Sequence, residues 1–322
     1  MTYWALVSPT LETSFYVFGL IALGYASGFA GYLKSETGDA LIQFAVRVAL
    51  PLLLFRTMLG ADFHGSAPWA LWAAYFSAVA VAWTAGHLVT TRVFGRDSQA
   101  GVVGGVSTAF SNLVLLGIPL TLGFFGQEGF EILSLLIALH LPIMLMMSMI
   151  LFAIFDLDRS KQPDPFALFR VFLRRMIKNP LVIGILLGLA WRLTAQPLPG
   201  LAVRLVDALA GIAGPLALFA VGLNLRKFGI SGNVGPALVL SALKLGLMPA
   251  VALVAALLFG LPPLTAKVAV AAAALPSGVN SYLIATQFGT GQALASNQMT
   301  IATAGAVVTT AFWLSIAQAV FG

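Results

Sequence analysis

Ser111-Asn112-Leu113-Val114-Leu115-Leu116-Gly117-Ile118-Pro119-Leu120 and Leu275-Pro276-Ser277-Gly278-Val279-Asn280-Ser281-Tyr282 are the two stretches on which the fold turns. Each places Pro, Gly and Asn in the middle of a long apolar run. Pro removes an N–H donor and clashes with the preceding turn, while Gly and Asn tolerate non-helical backbone. The pattern predicts two helices broken near their middles.

The surrounding composition says where such helices would lie. Of 322 residues, 60% are hydrophobic and 9% charged, with a mean hydropathy of +0.97. A soluble domain carries about 25% charged residues, so this chain could not cover a wet surface. A membrane β-barrel would show segments of ~10 residues with alternating polarity. Here the runs are continuous and rich in Leu, Ala, Val and Gly, which predicts an all-α polytopic membrane protein. The net charge of +6 is spread over loops, unlike the basic stripe of a nucleic-acid binder. There are no cysteines, which excludes disulfides and thiolate metal sites. No Lys or Arg precedes Lys34, so the usual signal-peptide pattern is not met and the first apolar run is expected to be a span.

Ten spans are expected, at roughly 13–33, 38–59, 68–91, 99–125, 130–155, 179–196, 203–225, 234–259, 264–288 and 294–320, each near the ~20 residues that a bilayer requires. Alternate loops divide the basic residues unevenly. One side collects Lys34, Arg92, Arg96, Arg159, Lys161, Arg170, Arg174, Arg175, Lys178, Arg226 and Lys227; the other collects Arg56, Arg192, Arg204 and Lys267. The richer side is expected to be cytoplasmic, with both termini on the opposite side of a bacterial inner membrane. The central loop interleaves its basic residues with Phe166, Leu168, Phe169, Val171, Phe172 and Leu173. It reads as an amphipathic segment on an anionic leaflet or as a phosphate- or partner-binding loop.

That loop, taken as 156–178, separates two five-span repeats, 1–155 and 179–322. Five is odd, so the halves would enter the membrane in opposite directions, an arrangement common in transporters that bind near the midplane. Internal echoes support it. Pro51-Leu52-Leu53-Leu54-Phe55 in span 2 matches Pro215-Leu216-Ala217-Leu218-Phe219 in span 7, and Gly24xxxGly28 in span 1 matches Gly184xxxGly188 in span 6. Small residues at that spacing let helices approach closely.

Broken backbone at membrane depth must be buried in protein or line a wet cavity. Two broken spans in equivalent positions, 4 and 9, are expected to cross near the midplane. Their half-helix N-termini would present free N–H groups and partial positive charge, which suits an anion. Two proline kinks with structural Asn side chains are the other reading.

The string SNLVLLGIPL (111–120) with the following GFFG (123–126), and ALPSGVNSYLIATQFG (274–289), resemble the auxin efflux carrier family. That family comprises the plant PIN proteins and bacterial transporters of malonate, malate or similar acids. The likeness covers nearly the whole chain, including PLLLF (51–55), GPLALFAVGLNL (214–225) and KLGLMP (244–249). It implies a fold similar to sodium/proton antiporters and bile-acid symporters. A scaffold of spans 1, 2, 6 and 7 would hold a moving transport domain of spans 3–5 and 8–10, in a homodimer formed through the scaffold helices. The long cytoplasmic loop of plant members is missing.

These readings name the expected substrate-binding residues: Ser111, Asn112, Gly117, Ile118 and Pro119 in span 4, and Pro276, Ser277, Gly278, Val279 and Asn280 in span 9. Two intramembrane charges join them. Lys244 lies deep in span 8, where a charge is costly and functional by default; it reads as a counter-charge for an anion or as a cap on the carbonyls of a broken helix. Arg47, four residues before Pro51, reads as an anion holder in the cavity or as a partner to a nearby carbonyl. His140 is either a titrating group or a satisfied buried imidazole. With His87 far away in sequence and no carboxylate cluster, no metal site is expected, and no cofactor. Neither broken span contains an acid, in contrast to sodium-coupled relatives of the fold.

The expected function is therefore secondary, elevator-type transport of small organic anions such as carboxylates. The rivals are a sodium- or proton-coupled symporter of the bile-acid type and a membrane receptor. No nucleophile–base set or paired acid suggests an enzyme.

Overall fold

A computed structural model describes residues 9–60, 68–155, 165–225, 232 and 234–322. The basic residues Arg159, Lys161, Arg226 and Lys227 of the expected cytoplasmic side lie outside the described residues. Among the described residues the chain is helical throughout, with a single antiparallel bridge between Ser111 and Ser277. The protein is a multi-pass membrane protein: six stretches are long and apolar enough to cross a bilayer, at Glu36–Gly60, Trp69–Val93, Leu113–Ile154, Gly200–Asn224, Val234–Leu258 and Gln292–Phe321.

Helix Pro9–Phe29 runs for 21 residues, whereas the apolar helices Pro180–Leu193 and Pro263–Ala274 have only 14 and 12. The last is short because it is cut. The opposite holds at Leu113–Ile154, whose 42 residues comprise two arms joined at Gly126. Gly126 adopts φ 63°, ψ −157°, a region open to glycine and closed to side chains.

Pro51, Pro119 and Pro249 are among the prolines that sit inside helical stretches without breaking them. Each follows a turn widened by one residue: Ala45–Ala49 before Pro51, Leu113–Gly117 before Pro119, and Leu243–Leu247 before Pro249. A proline ring clashes with the carbonyl four residues earlier and offers it no N–H; widening the turn moves that carbonyl aside. Such turns recur at functional sites, and here two of them hold Arg47 and Lys244.

The chain divides into two compact units. The first takes Met1–Ser66, Val114–Ala138 and Met176–Lys227. Within it the glycines noted above set the helix contacts. A Cβ on Gly24 would collide with the Phe219 carbonyl, and one on Gly184 with the Pro51 carbonyl. Each small-residue helix of one half thus packs on the Pro-Leu-x-Leu-Phe helix of the other. Arg56 and Asp207 pair at 3.2 Å on the surface of this unit.

The second unit takes Ala67–Leu113, Leu139–Arg175 and Phe228–Gly322. Helices Trp69–Leu88 and Ser98–Ala109 pack so closely that Cβ atoms on Gly101, Gly104 or Gly105 would strike His87, Thr90 or Trp83. Thr108 Oγ1 adds a bond to the Ala82 carbonyl at 2.9 Å. Asp97 caps Ser98–Ala109 by accepting from the Ala100 N–H at 2.8 Å. It is the only acidic side chain of this unit among the described residues.

Candidate functional site

Both breaks belong to the second unit. Helix Pro263–Ala274 stops because Leu275 precedes a proline, which drives it out of helical conformation; it is extended, at φ −62°, ψ 145°. Helix Val279–Gln287 then starts after Gly278, itself extended at φ −92°, ψ 174°. In the other stretch, helix Ser98–Ala109 ends at Phe110 (φ −82°, ψ 89°), and helical backbone resumes at Leu113. The interruption therefore falls at Phe110–Asn112, well ahead of Pro119.

The two interruptions pair through a single antiparallel bridge between Ser111 and Ser277. The Asn112 N–H donates to the Pro276 carbonyl at 2.9 Å and the Gly278 N–H to the Phe110 carbonyl at 3.4 Å. Ser277 Oγ donates to the Ser107 carbonyl. Backbone polar groups freed by the breaks are thereby satisfied inside the protein, as apolar surroundings require. The geometry brings together Ser111, Asn112, Pro276, Ser277, Gly278, Val279 and Asn280.

Accessibility separates these residues into two groups. Ser111 and Ser277 are buried, whereas Asn112, Val279 and Asn280 remain partly exposed. Two partly exposed amide side chains, Asn112 and Asn280, thus stand by the start of the half-helix Val279–Gln287. Gly278 keeps Asn112 in place: a Cβ there would stand 3.3 Å from the Asn112 side chain.

Lys244 reaches the break from within. It is 0% exposed, and its Nζ donates to Ser111 Oγ at 2.7 Å and to the Ala273 carbonyl at 2.9 Å, with Met248 Sδ alongside. Ala273 lies in the last turn of its half-helix, the negative end of the helix dipole, where a cation is favoured. The next carbonyl, Ala274, accepts from Thr310 Oγ1 at 3.5 Å. The ammonium therefore caps a broken helix and ties it to the other break. Reaching a ligand directly would require it to give up one of these bonds.

Gly117, Ile118, Pro119 and Arg47 belong to the first unit. Gly117, Ile118 and Pro119 are buried, with Pro119 against Gly214, while the Arg47 side chain is exposed. Three residues of the second unit that sequence reasoning did not assign make polar contacts to His140, to the broken helix end and to the widened turn that holds Lys244. Tyr75 packs its hydroxyl against His140, and Thr310 and Trp313 each bond a freed carbonyl. A tyrosine inside an apolar run is a visible signal for the first. Nothing local marks the other two.

The profile of the family described as "Membrane transport protein" matches residues 9–314, nearly the whole chain. The chain belongs to the membrane transport protein family. This is the auxin efflux carrier group whose motifs the two broken spans resemble. Similar proteins include an uncharacterized transporter of Methanothermobacter thermautotrophicus, 26% identical over 308 residues that cover 94% of this chain and 96% of that protein. A second is the lysosomal cholesterol signaling protein of Mus musculus, 28% identical over 222 residues, 65% of this chain and 25% of that one. As a member of the membrane transport protein family the chain is a transporter rather than an enzyme.

Proposed function

We propose that this transporter is a secondary, elevator-type carrier of small organic anions, with carboxylates such as malonate or malate as the substrate class. The observation that carries the reading is the antiparallel pairing of Ser111 with Ser277. It sets the half-buried amides of Asn112 and Asn280 beside the start of a half-helix. Amide N–H groups and a helix N-terminus donate to a carboxylate without the desolvation cost of a second full charge.

On this reading the chain has ten spans in two inverted repeats, 1–155 and 179–322. The reciprocal contacts of Gly24 with Phe219 and Gly184 with Pro51 support that symmetry. The scaffold would be spans 1, 2, 6 and 7, and the moving domain spans 3–5 and 8–10. The two compact units separate the same helices, except that Val114–Ala138 groups with the first. The protein would sit as a homodimer in a bacterial inner membrane, with both termini outside the cytoplasm and the basic segment Pro165–Ile177 on its inner leaflet. A sodium site of the bile-acid-symporter kind finds no support, because Asp97 is the only described acid of the unit holding both breaks.

The test is a thermal-shift series on the detergent-purified protein with mono- and dicarboxylates. A ligand that binds only the folded state raises the melting temperature by an amount set by its concentration over Kd, ~2.7 kcal/mol at a hundredfold excess. A concentration-dependent rise with carboxylates and none with matched neutral alcohols is expected. Equal response to both sets would overturn the anion assignment.

A further inference from the structure

Helix Pro165–Ile177 takes no part in the breaks, and its two edges differ in chemistry. Phe166, Phe169, Leu173 and Ile177 recur at helical spacing and so form one stripe; they are 68%, 52%, 45% and 62% exposed. Beside them Met176 is buried and Phe172 half-buried, so the stripe is the apolar side that the protein leaves uncovered. Arg170, Arg174 and Lys178 follow at four-residue intervals, which aligns them along the other edge, and all three are exposed. The two edges meet where the Arg170 guanidinium carbon stands 5.9 Å from the centre of the Phe166 ring. Val171 is the exposed apolar residue on the basic side. The segment 165–178 contains four basic residues and no acidic one.

The helix also ends at the edge of the bilayer. The Asn179 N–H donates to the Met176 carbonyl at 3.0 Å, and the Asn179 side chain accepts from the Leu181 N–H at 2.9 Å. Lys178 and Asn179 alone therefore separate it from helix Pro180–Leu193. That helix exposes Ile183, Leu186, Leu187 and Leu193, an outward apolar surface that belongs in lipid. An amphipathic helix leading straight into such a helix is placed to lie in the interface plane.

From this arrangement we infer that Pro165–Ile177 is a docking surface for an anionic lipid leaflet. Phe166, Phe169, Leu173 and Ile177 enter the acyl boundary, and Arg170, Arg174 and Lys178 engage phosphate headgroups. The inference goes beyond the carrier reading, which gives the segment a side of the membrane but no ligand, and it does not depend on the substrate. Charge and polarity select the occupant together. A nucleic acid would match the basic edge and leave the aromatic stripe in water. A zwitterionic leaflet would cover the stripe and meet the basic edge with no net charge. Each Lys or Arg close to an anionic leaflet strengthens attachment about fivefold, and the three together about a hundredfold. Anionic lipid thereby fastens the connection between 1–155 and 179–322 to the membrane.

The chain has no cysteine, so a single introduced one carries a label at one known place. Leu173→Cys bearing a nitroxide is reconstituted as full-length protein in nanodiscs of phosphatidylcholine, alone or mixed with phosphatidylglycerol. Both faces of a disc carry the same lipid, so the result is independent of topology. Relative accessibility to oxygen and to a water-soluble nickel chelate reads the depth of the label, and Phe169→Cys serves as a second reporter. The expected result is immersion in mixed discs, with an immersed population at least ~tenfold smaller in phosphatidylcholine and reduced again by salt. Arg170→Gln/Arg174→Gln/Lys178→Gln should abolish the dependence on lipid at wild-type melting temperature. If that variant fails to fold, the lipid and salt comparisons decide alone. Equal immersion in both discs overturns the anionic assignment. A label that stays aqueous in both overturns the membrane surface and leaves the stripe to a partner protein. Inorganic phosphate at matched ionic strength should not move the label; displacement by it would make this a site for soluble phosphate and overturn the lipid proposal.

Discussion

Lys244 Nζ and the Ala273 carbonyl lie 2.9 Å apart, joining the wide turn of one helix to the severed end of another. Removing the ammonium leaves that carbonyl and Ser111 Oγ without their donor in a dry interior, at about 1–3 kcal/mol for each unsatisfied group. Lys244→Met should therefore lower the melting temperature in detergent. Lys244→Gln, which keeps an N–H donor, should fold but lose most transport, and Lys244→Arg should retain partial binding with an altered pH profile. Wild-type uptake by well-folded Lys244→Gln between roughly pH 5 and 8 would show that the residue neither supports the binding geometry nor handles protons.

Asn112 and Asn280 are the half-buried amides at the paired breaks. Truncating either should weaken carboxylate binding by about 1–3 kcal/mol, the cost of a lost bond to a charged group. Titration calorimetry on Asn112→Ala and Asn280→Ala reads this directly. Unchanged affinity in both would place the ligand elsewhere.

Gly278 is extended rather than left-handed, at φ −92°, so alanine suits its backbone. Its added Cβ would nonetheless stand 3.3 Å from the Asn112 side chain and push it aside by a few tenths of an ångström. Gly278→Ala is expected to change the melting temperature by under ~1 kcal/mol equivalent while reducing carboxylate affinity severalfold. Loss of folding would instead mark the glycine as a packing requirement.

Trp313 Nε1 donates to the Leu245 carbonyl at 2.7 Å, the group that Pro249 leaves without an N–H four residues on. Replacement by Phe keeps most of the apolar contact and deletes the donor. A destabilisation of about 1–2 kcal/mol is expected, visible as a lowered melting temperature. A Trp313→Phe protein as stable as the wild type would mean that the widened turn satisfies this carbonyl in another way.

Reporter fusions check the orientation that the basic residues predict. A fluorescent reporter active only in the cytoplasm should stay dark at either terminus, and an enzyme active only outside should be silent when inserted near residue 160. A bright terminus inverts the topology.

Much of the break at Leu275–Gly278 was legible in one dimension, because a proline constrains its own backbone and that of the residue before it. The basic asymmetry and the paired Pro-Leu-x-Leu-Phe segments are likewise properties of a string, as is membership of an apolar, multi-pass class. The first break was legible only as a stretch, Ser111–Leu120, which includes Asn112; a widened turn absorbs Pro119, and the chain opens at Phe110–Asn112. There its backbone groups find Pro276 and Gly278 across more than 160 residues of sequence. The same holds for Lys244, whose depth followed from position but whose partners Ser111 and Ala273 did not, and for Tyr75 and His140, 65 residues apart. Local pattern governs which backbone bonds a segment loses. Which distant group replaces them depends on helix packing, and only the tertiary structure decides it.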